Sequence, residues 1–222
     1  MMRRPGGADF APGAHVFPGG SVHPEDRSLG DPIKGAAIRE LFEELGILLA
    51  NHVDGLTHGM AGEREAAQIR HRLARGVSFP AALREALLEP ATAELTYFAR
   101  WVTPEQLRRR FDTRFFLAQL PSGQTVHPQP GEVDHWLWTT PARALAAADF
   151  NMVFVTRNIL QMLAAEPDAE ALRRRYRNRR RIAVVRPKVR QVGDAFEVVI
   201  DSLPNPGRRR QASPAPQRRE ET

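Results

Sequence analysis

The chain has 222 residues, of which 42% are hydrophobic and 26% charged, ordinary values for a globular chain of one or two domains that exclude a wholly disordered or fibrous one. No apolar run approaches the ~18 residues that span a bilayer, and with no cysteine disulfides, thiolate metal sites and cysteine nucleophiles drop out together. The net charge of +6 is unevenly placed: residues 171–222 hold 15 Lys and Arg against 5 Asp and Glu, whereas residues 1–170 hold 17 against 21. A nucleic-acid partner inferred from the overall basicity would therefore rest on an appendage and is not expected, and neither is a membrane. Basic residues at the start lack an apolar stretch behind them, so no secretory signal is expected and a cytoplasmic location follows as the default.

In chain order, residues 15–17 form a short extended stretch that runs into the turn Pro18-Gly19-Gly20. Asp31 followed by Pro32 is a helix start, and Gly46 stands where a C-terminal cap belongs, which predicts a helix over 32–45. Helical periodicity over 63–88 is broken into two pieces at Ser78-Phe79-Pro80. Alternation over 94–102 predicts a strand, and 111–120 and 133–138 read as two more, with Trp101, Trp136 and Trp138 as core residues. Helices are expected again at 141–148 and 152–164. The arginine run 173–181 reads as a solvated basic segment. A hairpin over 182–203 turning at Gly193-Asp194 follows, and residues 204–222, with almost nothing to bury, are expected to be disordered. The expected organisation is a main domain over 1–165 with a helical insertion at about 60–90, a basic helix end and hairpin extension over 166–203, and the tail.

The chemistry concentrates on the first helix. At 100° per residue, Glu40, Glu43 and Glu44 share an arc of about 100°, opposite Leu41, Phe42, Leu45 and Leu48. Like charges at i, i+3 and i+4 repel, and no lysine on that arc relieves them, so a cation belongs there; oxygen donors favour Mg²⁺ or Mn²⁺. Taken alone, such a cluster also suits a solvated helix face.

Arg39-Glu40-Leu41-Phe42-Glu43-Glu44-Leu45-Gly46-Ile47 resembles the second half of the Nudix box, Gx5Ex7REUxEExGU with U aliphatic, at every specified position. The front half departs from it: after five intervening residues Gly20 is followed by Asp26 where the pattern has Glu, and 12 residues instead of seven separate Asp26 from Arg39. Wider blocks, from Phe10 through Gly20, then 38–49, Trp101-Val102-Thr103-Pro104, 110–117 and 132–138, are similar to the acyl-coenzyme A diphosphatase branch of the Nudix hydrolases, in which a looped insertion lengthens the front of the box.

The resemblance implies an α+β Nudix fold, a mixed β-sheet sandwiched between helices. It also implies hydrolysis of a diphosphate linkage in a small molecule, with CoA or acyl-CoA favoured over ADP-ribose, NADH or nucleotide sugars. Mg²⁺ or Mn²⁺ would be held by Glu40, Glu43, Glu44 and the Gly20 carbonyl. Arg39 would fasten the loop by pairing with Asp26 or Glu25. Glu132 is a candidate base, with an ordinary loop carboxylate as the other reading. His15, Arg4 and Arg114 are candidate substrate contacts, His15 also reading as structural. A catalytically weak module that binds nucleotide or RNA is the alternative of another class, and the complete carboxylate set argues against it. The family pattern also places the start of the first strand before Met1, so that either the true start lies upstream or the sheet lacks an edge and exposes the neighbouring strand.

Overall fold

The protein is described by a computed structural model over residues 1–53, 59–107, 109–177, 179, 181–192 and 195–200. Helix α1 (Pro32–Leu45) is the spine. The Asp31 carboxylate caps it, accepting from the backbone N–H groups of Ile33 at 3.0 Å and Lys34 at 3.2 Å, and Pro32 occupies a first-turn position that needs no amide hydrogen. Its end is set by Gly46, whose φ of +71° only glycine takes up without strain and whose N–H bonds the Phe42 carbonyl at 2.7 Å.

Two apolar flanks of α1 meet different partners. Ile38 and Phe42 are buried against α2 (Glu63–Ala74) and α3 (Phe79–Glu85), with Phe42 and Phe79 5.5 Å apart. Each side chain so buried stabilises by roughly 1.5–3 kcal/mol. These helices form the expected insertion, with Pro80 in the first turn of α3. The insertion also carries two short strands that periodicity over a few residues does not reveal, β3 (Ala50–His52) and β4 (Leu88–Pro90), paired antiparallel. Leu45 packs instead with Met2 and Val16, and Leu41 lies between the two sides and touches both. Met2 and Val16 belong to a small sheet in which β1 (Met2–Arg3) lies between β2 (His15–Val16) and β7 (His135–Trp136), paired antiparallel with each.

The mixed sheet is built on β5 (Thr96–Val102). It pairs antiparallel with β6 (Asp112–Leu117), with an irregularity between Tyr97 and Ala99, and parallel with β8 (Val184–Val185). Ala99, Trp101 and Phe115 pack on α5 (Phe154–Ala164) and α6 (Ala169–Tyr176), while Phe116 reaches the core beneath α1. The sheet is thereby sandwiched between helices. Helix α4 (Pro141–Ala146) precedes α5.

Two expectations are corrected. Residues 133–138 supply only the two-residue β7, and Trp138 is 66% exposed, its ring edge-on to Trp136 at 6.2 Å; the strand ends before it, so it is not a core residue. The arginine run begins inside a helix, α6, that the charge pattern hides: Asp168 caps it, accepting from the Ala171 N–H at 2.6 Å, and Leu172 and Tyr176, four residues apart, bury into the core. β9 (Lys188–Val192) and β10 (Ala195–Val199) pair antiparallel as a hairpin requires. The turn at Gly193-Asp194 and the segment 204–222 lie outside the described residues.

Candidate active site

A 3-10 helix over Pro24–Leu29 fills the lengthened front of the box and folds back on α1. Gly35 permits the approach, since a Cβ there would stand 2.8 Å from the Leu29 Cβ and 3.3 Å from the Asp26 carbonyl oxygen. This seats Asp26 beside Arg39, and both are almost fully buried. Arg39 Nε donates to Asp26 Oδ1 at 2.9 Å, one Nη donates to Asp26 Oδ2 at 3.1 Å and to the Ser21 carbonyl at 2.9 Å, and the other Nη reaches Glu40 at 3.0 Å and Glu43 at 2.7 Å. Burial opposes the guanidinium charge, but the bonds to Asp26 and Glu43 outweigh it and hold the arginine above its ordinary pKa. Asp26 also accepts from the His23 N–H at 2.7 Å. Of the two acids offered for Arg39, it is Asp26 that pairs; Glu25 acts only by its charge on Glu43.

The three helix carboxylates differ. Glu44 is buried and accepts from the Gly19 N–H at 2.7 Å. Burial is the main cause that pushes its carboxyl up to about 7, with the charges of Glu40 and Glu132 adding to it and the Gly19 N–H and Arg4 working the other way. Glu43 is raised too, again by burial first and against the pull of Arg39. Glu40 lies across Gly20, where a Cβ would come within 2.5 Å of its Oε1. No positive φ calls for glycine at position 20; the lack of a side chain there leaves room for the Glu40 carboxylate where it lies.

Among the described residues no three His, Asp or Glu side chains converge on one point that could hold an ion, because Glu40 and Glu43 turn to Arg39 and Glu44 to Gly19. The donor set nevertheless fits a hard divalent cation. Three mutually repelling carboxylates adjoin a backbone left clear of any side chain, and one of them is buried with its pKa raised near neutrality.

Glu132 is brought to the site by the loop 124–133. The Gln129 N–H donates to the Glu44 carbonyl at 2.9 Å and the His127 N–H to the Leu45 carbonyl at 2.8 Å. Gln124, missed in the sequence, anchors that loop: its buried amide accepts from the Leu48 N–H at 2.7 Å and donates to the carbonyls of Leu48 and Ala61, both at 2.8 Å. No local pattern announces such a residue, because every partner is distant in sequence. Arg4 also lies close enough for its charge to act on Glu44, and its Nε donates to the Phe10 carbonyl at 3.0 Å.

Two candidates stand elsewhere. Arg3 pairs across the small sheet with both His15 and His135, and Met2 with Val16 and Trp136. Residues so paired share a face, and the Met2 face packs on α1. His15 consequently points away from the carboxylates and stacks on Phe150 at 4.1 Å, its pKa lowered by burial and by Arg3, surroundings that suit its structural reading. Arg114 is paired with Arg100 across β5 and β6, and its side chain bonds Tyr97. The structure does not bring it to Glu40, Glu43 or Glu44 by any contact among the described residues.

A loop-helix-loop with a buried arginine and three carboxylates on one arc, set beside a mixed sheet between helices, defines the Nudix class of fold and site. Residues 32–159 match the family model of the NUDT19 Nudix domain, and the chain belongs to that Nudix family. It is 28% identical over 148 residues to nudix hydrolase 7 of Caenorhabditis elegans, covering 67% of this chain and 48% of that protein. It is 26% identical over 203 residues to the acyl-coenzyme A diphosphatase NUDT19 of Xenopus laevis, covering 65% and 53%. The chain spans about half the length of these two relatives. The crystal structure of a NUDIX hydrolase from Alicyclobacillus acidocaldarius superposes with a TM-score of 0.64 at 29% identity, over 76% of this chain and 84% of that one. No helix among the described residues is long and apolar enough to cross a membrane.

Proposed function

We propose that this chain hydrolyses a diphosphate linkage in a small nucleotide derivative with Mg²⁺ or Mn²⁺. The substrate is CoA or an acyl-CoA, and the products are adenosine 3′,5′-bisphosphate and a phosphopantetheine. The observation that carries the reaction is Glu44, a buried carboxylate raised to about 7 beside Glu40 and Gly20. The similarity to the Xenopus laevis acyl-coenzyme A diphosphatase supports the choice of substrate.

Glu40, Glu43, Glu44 and the Gly20 carbonyl would hold the metal. When bound, it neutralises charge on the phosphates and acidifies coordinated water. Arg39 and Asp26 position the donor helix against the loop. Arg4, whose charge already acts on Glu44, attracts the anionic substrate. Glu132, exposed on a loop bonded to the end of α1, takes a proton from the attacking water.

The test is product chromatography on CoA, 3′-dephospho-CoA, ADP-ribose and NADH at equal concentration with each metal. CoA species are expected to be cut fastest, and Glu44→Gln to lose more than the roughly 10–100-fold typical of residues that only orient a ligand. Faster cleavage of ADP-ribose or NADH would overturn the substrate while leaving the reaction standing. Wild-type turnover in Glu44→Gln would overturn the site.

A further inference from the structure

The arginines of α6 are not all turned to open solvent. A cavity of about 380 Å³ lies between the first turn of α1, the start of β5 and the end of α6, with Lys34, Arg173, Arg177 and Arg179 in its wall and Glu94 as the one carboxylate among its lining residues. Lys34 uses one donor on the Thr92 carbonyl, at 2.7 Å. Arg173 donates to Gln119 at 3.2 Å and lies 3.7 Å from Glu94, yet its Nε is buried with no hydrogen-bond partner. Arg173 and Arg177 sit four residues apart, where like charges on a helix repel, and Lys34 adds a third cation from another element.

A cation cluster of this kind, assembled from two separate helices, is stabilised by an anion. The guanidinium forks suit tetrahedral oxygens, and the lysine supplies a point charge. The volume lies within the range of small-molecule sites, roughly 300–1,000 Å³, and exceeds what a lone phosphate needs. Tyr97 and Tyr176 also stand in the wall, Tyr176 with its ring packed in the core and the Arg179 guanidinium 5.2 Å above it. Lys34 stands six residues before Glu40, the first of the box carboxylates, about 9 Å along the axis of α1 and about 120° round it, so the cavity opens on another side of the helix.

We infer that this cavity binds a phosphate group, carried by a small molecule of nucleotide size, through Lys34, Arg173 and Arg177. The inference does not depend on the proposed hydrolysis.

The test uses the full chain, free of divalent metal and at constant ionic strength set with NaCl, titrated with AMP, inorganic phosphate and adenosine. Binding is followed by calorimetry and by the Arg173 Nε–H resonance in the nitrogen-15 spectrum. AMP is expected to bind saturably and to shift that resonance, adenosine to do neither, and Glu44→Gln to leave the result unchanged. Lys34→Gln combined with Arg177→Gln is expected to weaken AMP by about tenfold or more, the scale of losing hydrogen bonds to a charged group. If that double variant melts lower, Arg177→Gln alone, at an exposed side chain, carries the measurement. Inorganic phosphate binding more weakly than AMP upholds the inference, and inorganic phosphate binding as tightly as AMP overturns the carrier of nucleotide size and leaves a site for the free ion. A response to AMP that never saturates, or one that the Arg177 variants retain in full, overturns it.

Discussion

Two clusters of ion pairs each fasten a loop to a helix, and they do so in opposite surroundings. Arg39 and Asp26 are 1% and 0% exposed and share two hydrogen bonds. Glu63 at the start of α2 gathers the Thr125 N–H at 2.9 Å, its hydroxyl at 3.2 Å, His127 at 3.1 Å and Arg70, but its side chain is 34% exposed and that of His127 46%. The first cluster is out of reach of solvent screening and holds the carboxylates of the site. The second is wet, and it steers the loop that carries Glu132. The tally of contacts therefore does not give the energy; the surroundings decide.

The largest effect tests the buried side. Asp26→Ala leaves Arg39 without its main partner in the interior, where removing one member of a buried pair costs about 3–5 kcal/mol. Glu40 and Glu43 remain in contact with Arg39, so the lower end of that range is expected in a urea titration, together with lost turnover. A change below about 1 kcal/mol, the scale of exposed pairs, would erase the contrast between the clusters.

Next is Gly20→Ala. The new methyl would meet only the end of the Glu40 side chain, at 2.5–2.6 Å, and that chain can swing aside. The melting temperature should hardly move, whereas turnover should fall by about tenfold to a hundredfold, as displacements of about 1 Å do at catalytic groups. A variant with wild-type rate would show that Glu40 is not needed where it lies.

What the sequence made legible divides along the same line. The bounds of α1 follow from Asp31, Pro32 and Gly46, and its carboxylate arc from spacing, because both are local facts about one helix. The partner of Arg39 could be narrowed to two acids but not chosen, since the choice depends on how the 3-10 helix packs under Gly35. The face that His15 takes depends on strand parity relative to Met2, and Gln124 answers to backbone groups 63 and 76 residues away. Helix α6 was written in Asp168, Leu172 and Tyr176, but the run of arginines that follows masks so short an apolar stripe.

Glu44, beside the first cluster, and Glu63, within the second, should respond to pH with opposite signs. Glu44 is raised from 4.5 to about 7 by burial. Its folded state binds the proton more tightly than the unfolded chain does, so its contribution is complete below about 4.5 and is lost as pH rises through about 7. Without metal, stability should decline over that window more steeply in wild type than in Glu44→Gln, in which Glu43 remains raised. Added Mn²⁺ should restore it at the upper end, since a cation favours the ionised form. Melting curves from pH 4.5 to 7.5 measure this, and parallel curves for the two proteins would remove Glu44 from the account.

The smallest effect belongs to the exposed cluster. Glu63 is lowered to about 2, chiefly by the Thr125 N–H and then by Arg70 and the Thr125 hydroxyl. A depressed carboxylate contributes stability above its unfolded value, near 4.5, and loses it as pH falls towards 2. Because the group is a third exposed, solvent screens most of that shift, and Glu63→Gln is expected to cost no more than about 1 kcal/mol. Its larger consequence should be kinetic. Releasing Thr125 and His127 loosens the loop that sets Glu132 near Glu44, while Gln124 still anchors its start. Turnover should drop by a few fold with KM nearly unchanged, and the stability difference from wild type should shrink as NaCl rises from about 0.05 to 1 M, where the screening length falls to about 3 Å. A loss as large as that of Asp26→Ala, or one indifferent to salt, would mean that this cluster is as sealed from solvent as the first and that the two loops are held alike.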